Sequence, residues 1–430
     1  MAKAGAISYY KNMHVKKHKY CRICGNEHLT EVLDLGKQYI QGAFDHPDSP
    51  SPPRRKVSNR IVRCDTSKHE DACGLIQADV SVSPEILYRN YWYQSGISQT
   101  MRLHLKSIAD EAQKITGFTD GLVVDIGCND GSLLRNYPET FKRIGVDPSD
   151  IAAKQTGLQI INETFPTNKL KEFSASIVTS IACFYDVNEP HEFVDSIRRL
   201  LNFKGIWVFE IAYLKSIIDN LAFDQFLAEH AVNYHLAPIE YLLKQHNLKL
   251  FRAHKTPTNG GSILCYVCHE SCDLYDEPEY KNELRELRFE EFDACLDEED
   301  TYAIFRENVN KALINLNELV YGLVEKGKAV HVYGASTKLN VLLEASGITS
   351  VIQYAAERSV EKVGAKTLSG ISVISEESSR TMKPDFYLVG PYHFKEEIVA
   401  REKQYINDGG TLIFPLPCIC LVSKNGEEYP

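Results

Sequence analysis

The sequence has no run of about 18 consecutive apolar residues, so no segment is long enough to cross a bilayer as a helix. Its start, "MAKAGAISYYKNMHVKKHKY", carries basic residues with no apolar stretch behind them, which is unlike a secretory signal. Positive charge is also in deficit. The 48 Lys and Arg stand against 58 Asp and Glu, a formal charge of −10, whereas contact along a nucleic-acid backbone wants a basic face. Two nucleotide-binding signatures are missing as well: the G-x-G-x-x-G turn of dinucleotide folds, and the Lys-Ser/Thr end of a phosphate loop. These absences leave a cytoplasmic protein that binds neither membrane nor nucleic acid and takes a small ligand in a local pocket, as a monomer or a weak dimer.

At 430 residues the chain exceeds one hydrophobic core, and about three domains are expected. We place them at 1–82, 83–297 and 298–430. The twelve cysteines are spread along the chain, the pattern of a reduced compartment with a few metal ligands and several buried thiols. Four stand apart. In "CRICG", Cys21 and Cys24 have the spacing at which one turn lets two thiolates reach a tetrahedral ion, and Cys64 and Cys73 follow in "VRC" and "ACG". A structural Zn2+ is the natural product, with four unlinked thiols as the alternative and His69, between the second pair, as a possible substitute ligand. The loop "FDHPDSPSPPRRK" leaves little local core, so this domain needs a staple.

The middle of the chain is the most informative. Met101, Leu105, Ile108 and Ala112 recur at helical intervals, and then comes "GLVVDIGCNDGSLL". Leu122 to Ile126 reads as a buried strand, Gly127 to Gly131 as a tight turn, and Ser132 onward as a helix start, which is the opening of a doubly wound α/β sheet. Asp125 lies at the strand end. Asp147, in "RIGVDPSD", ends a second strand about twenty residues on, where it can accept hydrogen bonds from ribose hydroxyls. Further strands are expected in "ASIVTSIACF" and "GIWVFEIAY", with "HEFVDSIRRLL" as the helix between them.

Beyond an acidic stretch, "YAIFRENVNKALINLNELVYGLVEKGK" lines up Phe305, Val309, Leu313, Leu316, Val320 and Leu323 on one helical face. The strand-like runs "AVHVYGASTKLN", "SVIQYAAERS", "PDFYLVGPYHF" and "GGTLIFPLP" then predict a second parallel, Rossmann-like sheet. The small residues of "YGAST" are either a phosphate cradle or a place of close helix packing. Glu357 ends the second strand of that sheet as Asp147 does in the first.

One stretch has no obvious structural reason. "FDQFLAEHAVNYH", residues 223–235, sets Glu229 beside His230, and neighbours on a regular helix point about 100° apart. They are either a solvated pair on a turn or, in a loop, two groups aimed at one cavity.

The ordered set "CRIC", "CGLIQ", "YWYQSGISQTM", "VVDIGCNDGSLL", "FDQFLAEH", "NGGS", "YGASTK" and "GGTLIFPLP" resembles the three-domain, zinc-containing S-adenosylmethionine-dependent C-methyltransferases of nucleotide-linked keto-deoxysugars. The similarity runs from about Cys21 to Pro417. It implies a class I methyltransferase fold whose cofactor, S-adenosyl-L-methionine, is held by Asp125, Gly127, Gly131 and Asp147. It also implies a zinc site at Cys21, Cys24, Cys64 and Cys73, and a nucleotide-linked sugar enclosed with help from Asp186, Tyr333, Gly334, Ser336 and Lys338. Glu229 and His230 fall where the family has its catalytic Glu-His. His230 is then the base that makes an enolate, Glu229 orients it or shares its proton, and Tyr91 and Tyr93 line the methyl-transfer cavity. Two positions depart from the family: a Tyr expected two places before the Glu is Leu227, and a His expected in "CFYDVNEPH" is matched by Asp186, with His191 further on. An O-methyltransferase or sugar-modifying relative, or a cofactor-binding homologue without turnover, is the competing reading.

Overall fold

The computed structural model describes residues 15–49, 51–88 and 92–430. Near the amino terminus, strands β1 (Leu29–Gln38), β2 (Val57–Cys64) and β3 (Ile76–Ala78) form an antiparallel sheet. Its fourth member, Val232–Asn233, comes from the middle of the chain and pairs with β3.

Helix α1 (Gln99–Thr116) begins where the Ser98 side chain accepts the Met101 N–H, and it ends at Gly117, whose φ of 68° is a left-handed cap. The helix buries Leu105, Ile108 and Ala112 as the periodicity predicts. Beyond it lies a seven-stranded sheet of β4 (Gly121–Ile126), β5 (Phe141–Val146), β6 (Gln159–Ile161), β7 (Ala175–Ile181), β8 (Leu201–Ala212), β9 (Leu248–Thr256) and β10 (Ser262–His269). The order is β9-β10-β8-β7-β4-β5-β6, with β10 antiparallel to both neighbours and the rest parallel. Strand order reverses between β4 and β7, and in open α/β sheets ligands settle in the crevice at such a point. Helix α2 (Pro190–Leu200) joins β7 to β8.

One expectation is corrected here. No α-helix starts at Ser132; the chain makes only a 3-10 turn, Leu134–Asn136. Tyr137 precedes Pro138, whose ring drives it to an extended conformation (ψ 137°), so the segment is too short for a regular helix.

Helix α3 (Glu299–Glu325) buries Phe305, Val309, Leu316 and Val320 and leads to β11 (Val330–Tyr333). Helix α4 (Thr337–Ala345), β12 (Tyr354–Glu357), β13 (Ser372–Ser375), β14 (Phe386–Val389) and β15 (Thr411–Phe414) follow. The parallel order β15-β14-β11-β12-β13 is doubly wound, as expected, although β13 has no counterpart in the sequence reading. Phe44–Asp45, from the amino-terminal region, adds itself to this sheet beside Lys366–Thr367.

Candidate active site

The four cysteines Cys21, Cys24, Cys64 and Cys73 converge, with sulfurs all within 4.8 Å of one another. Cys21 and Cys73 are 3.4 Å apart and Cys24 and Cys64 3.3 Å. A tetrahedral ion with bonds of about 2.3 Å sets its sulfurs about 3.8 Å apart, so only small relaxation is needed. The turn that brings the first pair together closes at Gly25, where φ is 73°. His69 is no substitute ligand: it is exposed, and its Nδ1 accepts the Asp71 N–H. Four thiolates close the coordination sphere, so the zinc is structural.

The turn after β4 has three left-handed residues: Gly127 (φ 72°), Asn129 (φ 50°) and Gly131 (φ 74°). Asp147, at the end of β5, braces it. Its carboxylate accepts the Asn129 N–H at 2.9 Å and the Ser149 N–H at 2.8 Å, and each oxygen keeps a lone pair for a ribose hydroxyl. Asp125 is buried below, accepting the Thr179 hydroxyl at 2.6 Å, and burial pushes its carboxyl up to about 7. Asn129 also ties the turn to the linker ahead of α1. Its Nδ2 donates to Tyr93 O (2.9 Å) and its Oδ1 accepts Ser95 N–H (3.0 Å), which places Tyr93 over the cofactor turn. Tyr91 lies outside the described residues.

A cavity of about 460 Å³ runs from this turn to the carboxy-terminal domain. Asp125, Gly127 and Asp147 line it, with Tyr93, Asp186, His230 and Lys338. Its walls carry six acidic side chains (Asp125, Asp147, Asp186, Glu189, Glu192 and Glu210), of which burial pushes Asp125 and Asp186 toward the neutral form, and, among the described lining residues, a single Lys or Arg; the excess of acid suits a cationic cofactor.

The Glu-His stretch is neither helical nor solvated. Glu229 is 6% exposed and His230 8%, in a loop between the 3-10 turn Phe223–Gln225 and the edge strand Val232–Asn233. His230 Nδ1 lies 2.7 Å from Gln225 O; a carbonyl can only accept, so Nδ1 carries the proton and Nε2 keeps its lone pair. The ring packs on Tyr185 at a centroid distance of 4.2 Å, and burial with the nearby Lys338 charge pushes its pKa down to about 3. Gln225, and not Glu229, therefore orients the imidazole. Among the described residues neither carboxylate oxygen of Glu229 finds a hydrogen-bond partner, and burial pushes this acid up to about 7. The carboxylate lies so close over Gly42 that a Cβ there would come within 2.1 Å of Oε1. Asp186 is held well above the usual carboxylate range by burial and by Glu229.

Of the expected carboxy-terminal residues, Lys338 reaches the cavity, its Nζ donating to Asn259 O at 2.9 Å. The structure does not bring Tyr333, Gly334 or Ser336 there. Tyr333 OH turns away to Glu402 and Arg401, Gly334 packs against Pro391, and Ser336 caps α4 by accepting the Leu339 N–H. Glu357 accepts the N–H groups of Arg358 and Ser359 on Oε1 and that of Ala335 on Oε2, bracing its turn as Asp147 braces the first. "YGAST" is thus a site of close packing and helix capping. Gly131 braces the turn from outside the cavity lining, a Cβ there meeting Leu158 and Arg135. Sequence reasoning missed Gln225, Asn259 and the pair His104–Glu210, whose Nε2 and Oε2 stand 2.8 Å apart at the end of β8. Only the left-handed Asn259 (φ 55°) in "NGGS" left a local signal.

Three family models together cover most of the chain: a zinc binding domain at 21–88, a methyltransferase domain at 100–290 and a C-methyltransferase C-terminal domain at 257–417. The C-methyltransferase NovU of Streptomyces niveus is 28% identical over 410 residues, covering 92% of this chain and 95% of that one. Among solved structures, a protein of Pyrococcus horikoshii aligns with a TM-score of 0.35 at 19% identity, over 41% of this chain and 94% of its own. The magnesium protoporphyrin IX methyltransferase of Synechocystis, solved with its cofactor bound, aligns at 0.30 and 15%, over 39% and 79%. With its cysteine cluster, its class I strand order and this succession of domains, the chain is an S-adenosylmethionine-dependent methyltransferase similar in its three-domain build to the C-methyltransferase NovU.

Proposed function

We propose that the protein methylates carbon next to the ketone of a nucleotide-linked keto-deoxysugar, with His230 as the base. The observation that carries this reading is the tautomer of His230. With Nδ1–H given to Gln225 O, the Nε2 lone pair belongs to a wall of the cavity that also contains the cofactor turn. A carbon beside a ketone becomes a nucleophile only when its proton leaves, and His230 Nε2 takes that proton while the electron pair passes through the new C=C bond to the carbonyl oxygen. S-adenosylmethionine, when bound, supplies the electrophilic methyl group that the carbon then attacks. A neutral imidazole is the form required, and the low pKa keeps it so in the empty cavity. The imidazolium, once formed, is paired with the enolate, so its burial is compensated. Tyr93 and Asp186 line the same cavity and are proposed as contacts to the sugar, and the family resemblance supplies the nucleotide.

The test is solvent-deuterium exchange into a panel of nucleoside diphosphate-linked keto-deoxyhexoses, without methyl donor. Exchange in the wild type that falls about 10²-fold or more in His230→Ala supports the reading. An O-methyltransferase would transfer methyl with no exchange, and exchange untouched by the substitution would remove His230 as the base.

A further inference from the structure

An enolate needs two things: a base for the proton and a group to hold the charge that appears on oxygen. We infer that Lys338 is the catalytic residue that stabilises the enolate oxygen, and that Gln225 and Asn259 are positioning residues that lock it to the base. This inference rests on the enolate reading above.

The first support is elimination within the cavity. Among the described lining residues Lys338 is the only Lys or Arg. The family's tyrosine position is Leu227, which is 3% exposed and packed in the core, and Asp186, which burial and Glu229 hold toward its protonated form, offers a neutral O–H that stabilises an oxyanion less than an ammonium does. Tyr93 and Tyr185 offer neutral hydroxyls, which stabilise an oxyanion less than an ammonium does.

The second support is geometry. Lys338 Nζ donates to Asn259 O at 2.9 Å, and the same carbonyl accepts Gln225 Nε2 at 2.9 Å. The backbone carbonyl of Gln225 accepts His230 Nδ1 at 2.7 Å. Ammonium and imidazole are thus tied through one glutamine, so base and charge acceptor cannot drift independently. An ammonium has three donors, and the Asn259 bond uses one. Asp224, the neighbouring buried acid, accepts the Tyr392 hydroxyl on Oδ1 at 2.8 Å, which seats this edge of the carboxy-terminal domain against the loop. Lys338 enters the cavity from the second position of α4, and the same cavity is lined by His230 and by the cofactor turn. Lys338 also lowers the affinity of His230 for a proton before substrate arrives, keeping the base neutral.

The experiment uses the zinc-loaded full chain and the same keto-deoxyhexose panel. Lys338→Met should lower the maximal exchange rate about 10²-fold or more with little change in KM, and leave zinc content and cofactor affinity intact. Gln225→Leu should lose less, because it frees the pair without removing the charge. A second readout needs no substrate: the 13C-labelled His230 ring should titrate at higher pH in Lys338→Met, with Glu229, Asp186, Asp224 and Tyr185 still around it. Exchange undiminished in Lys338→Met would overturn the inference. So would a loss confined to KM with weaker binding of the nucleoside diphosphate alone, which would make Lys338 a diphosphate ligand, or an unmoved His230 titration. No exchange in the wild type would overturn the enolate reading, and this inference with it.

Discussion

Gly127→Ala tests how the cofactor turn is built. At φ 72° a side chain of L configuration costs about 1–2 kcal/mol for the left-handed backbone. A Cβ would also lie 2.9 Å from Cys183 Cβ, closer than real Cβ atoms come, and 3.0 Å from its Sγ, a tight contact, and together these cost about 1–3 kcal/mol as overpacking. The two terms together predict a destabilisation of about 2–5 kcal/mol, arising from Cys183 before any clash with cofactor. Chemical denaturation of Gly127→Ala, Cys183→Gly and the double variant separates the terms. Cys183→Gly removes both close atoms, so the double variant should recover the packing part, a coupling of about 1–3 kcal/mol, and retain the backbone part. Additivity within about 0.5 kcal/mol would refute the packing argument and return the role of Gly127 to the ligand space alone.

Metal analysis should find one zinc per chain, and because Val232–Asn233 pairs with β3 of the zinc domain, Cys24→Ser or chelation should lower turnover as well as stability, with faster amide exchange at Val232 and Asn233. Asp147→Ala should weaken S-adenosylmethionine binding by about 1.5–3 kcal/mol in calorimetry, since it removes the ribose acceptor and also frees the Asn129 and Ser149 N–H groups; tighter binding of NAD by the wild type would overturn the assignment. Glu229, Asp125 and Glu291 are all pushed up to about 7 by burial, so the stability each contributes is complete below its unfolded pKa and lost as pH rises through 7. The denaturation midpoint should therefore fall between about pH 5 and pH 8, and Glu229→Gln should flatten that fall.

The fold was legible wherever one strand or helix could be recognised by itself. The run from Leu122 to Gly131 declared its strand and turn because apolar residues and two glycines are local signals, and α3 declared itself through its apolar face. The helix expected at Ser132 failed because one proline, six residues on, outweighs a favourable start. Tyr333 was misplaced for a different reason: alternation along β11 puts its ring on the face that meets Glu402, and nothing within "YGAST" says which face looks toward the cavity. The network from Lys338 to His230 was illegible because its members are joined across gaps of 79 and 34 residues.

Those gaps explain why the Glu-His pair can be adjacent. A helix would splay the two side chains, and a free loop would leave them solvated, so the stretch has to be irregular and yet rigid. All three parts of the chain supply that rigidity. Asn59, on β2, donates to Phe226 O at 2.8 Å, and Gln41 accepts the Ala228 N–H at 3.1 Å. Asn340, on α4, holds Gln41 O at 2.7 Å, so the carboxy-terminal domain steadies the residue that steadies the loop. From the methyltransferase domain, Asn259 O receives Gln225. Reacting groups have to be held to a fraction of an ångström, since a shift of about 1 Å can cost about 10²-fold in rate. A short loop without ladder hydrogen bonds cannot meet that demand alone. The cysteine cluster joins the segments around β2 and β3, and β3 in turn pairs with Val232–Asn233, so a zinc held there would steady the backbone that carries His230.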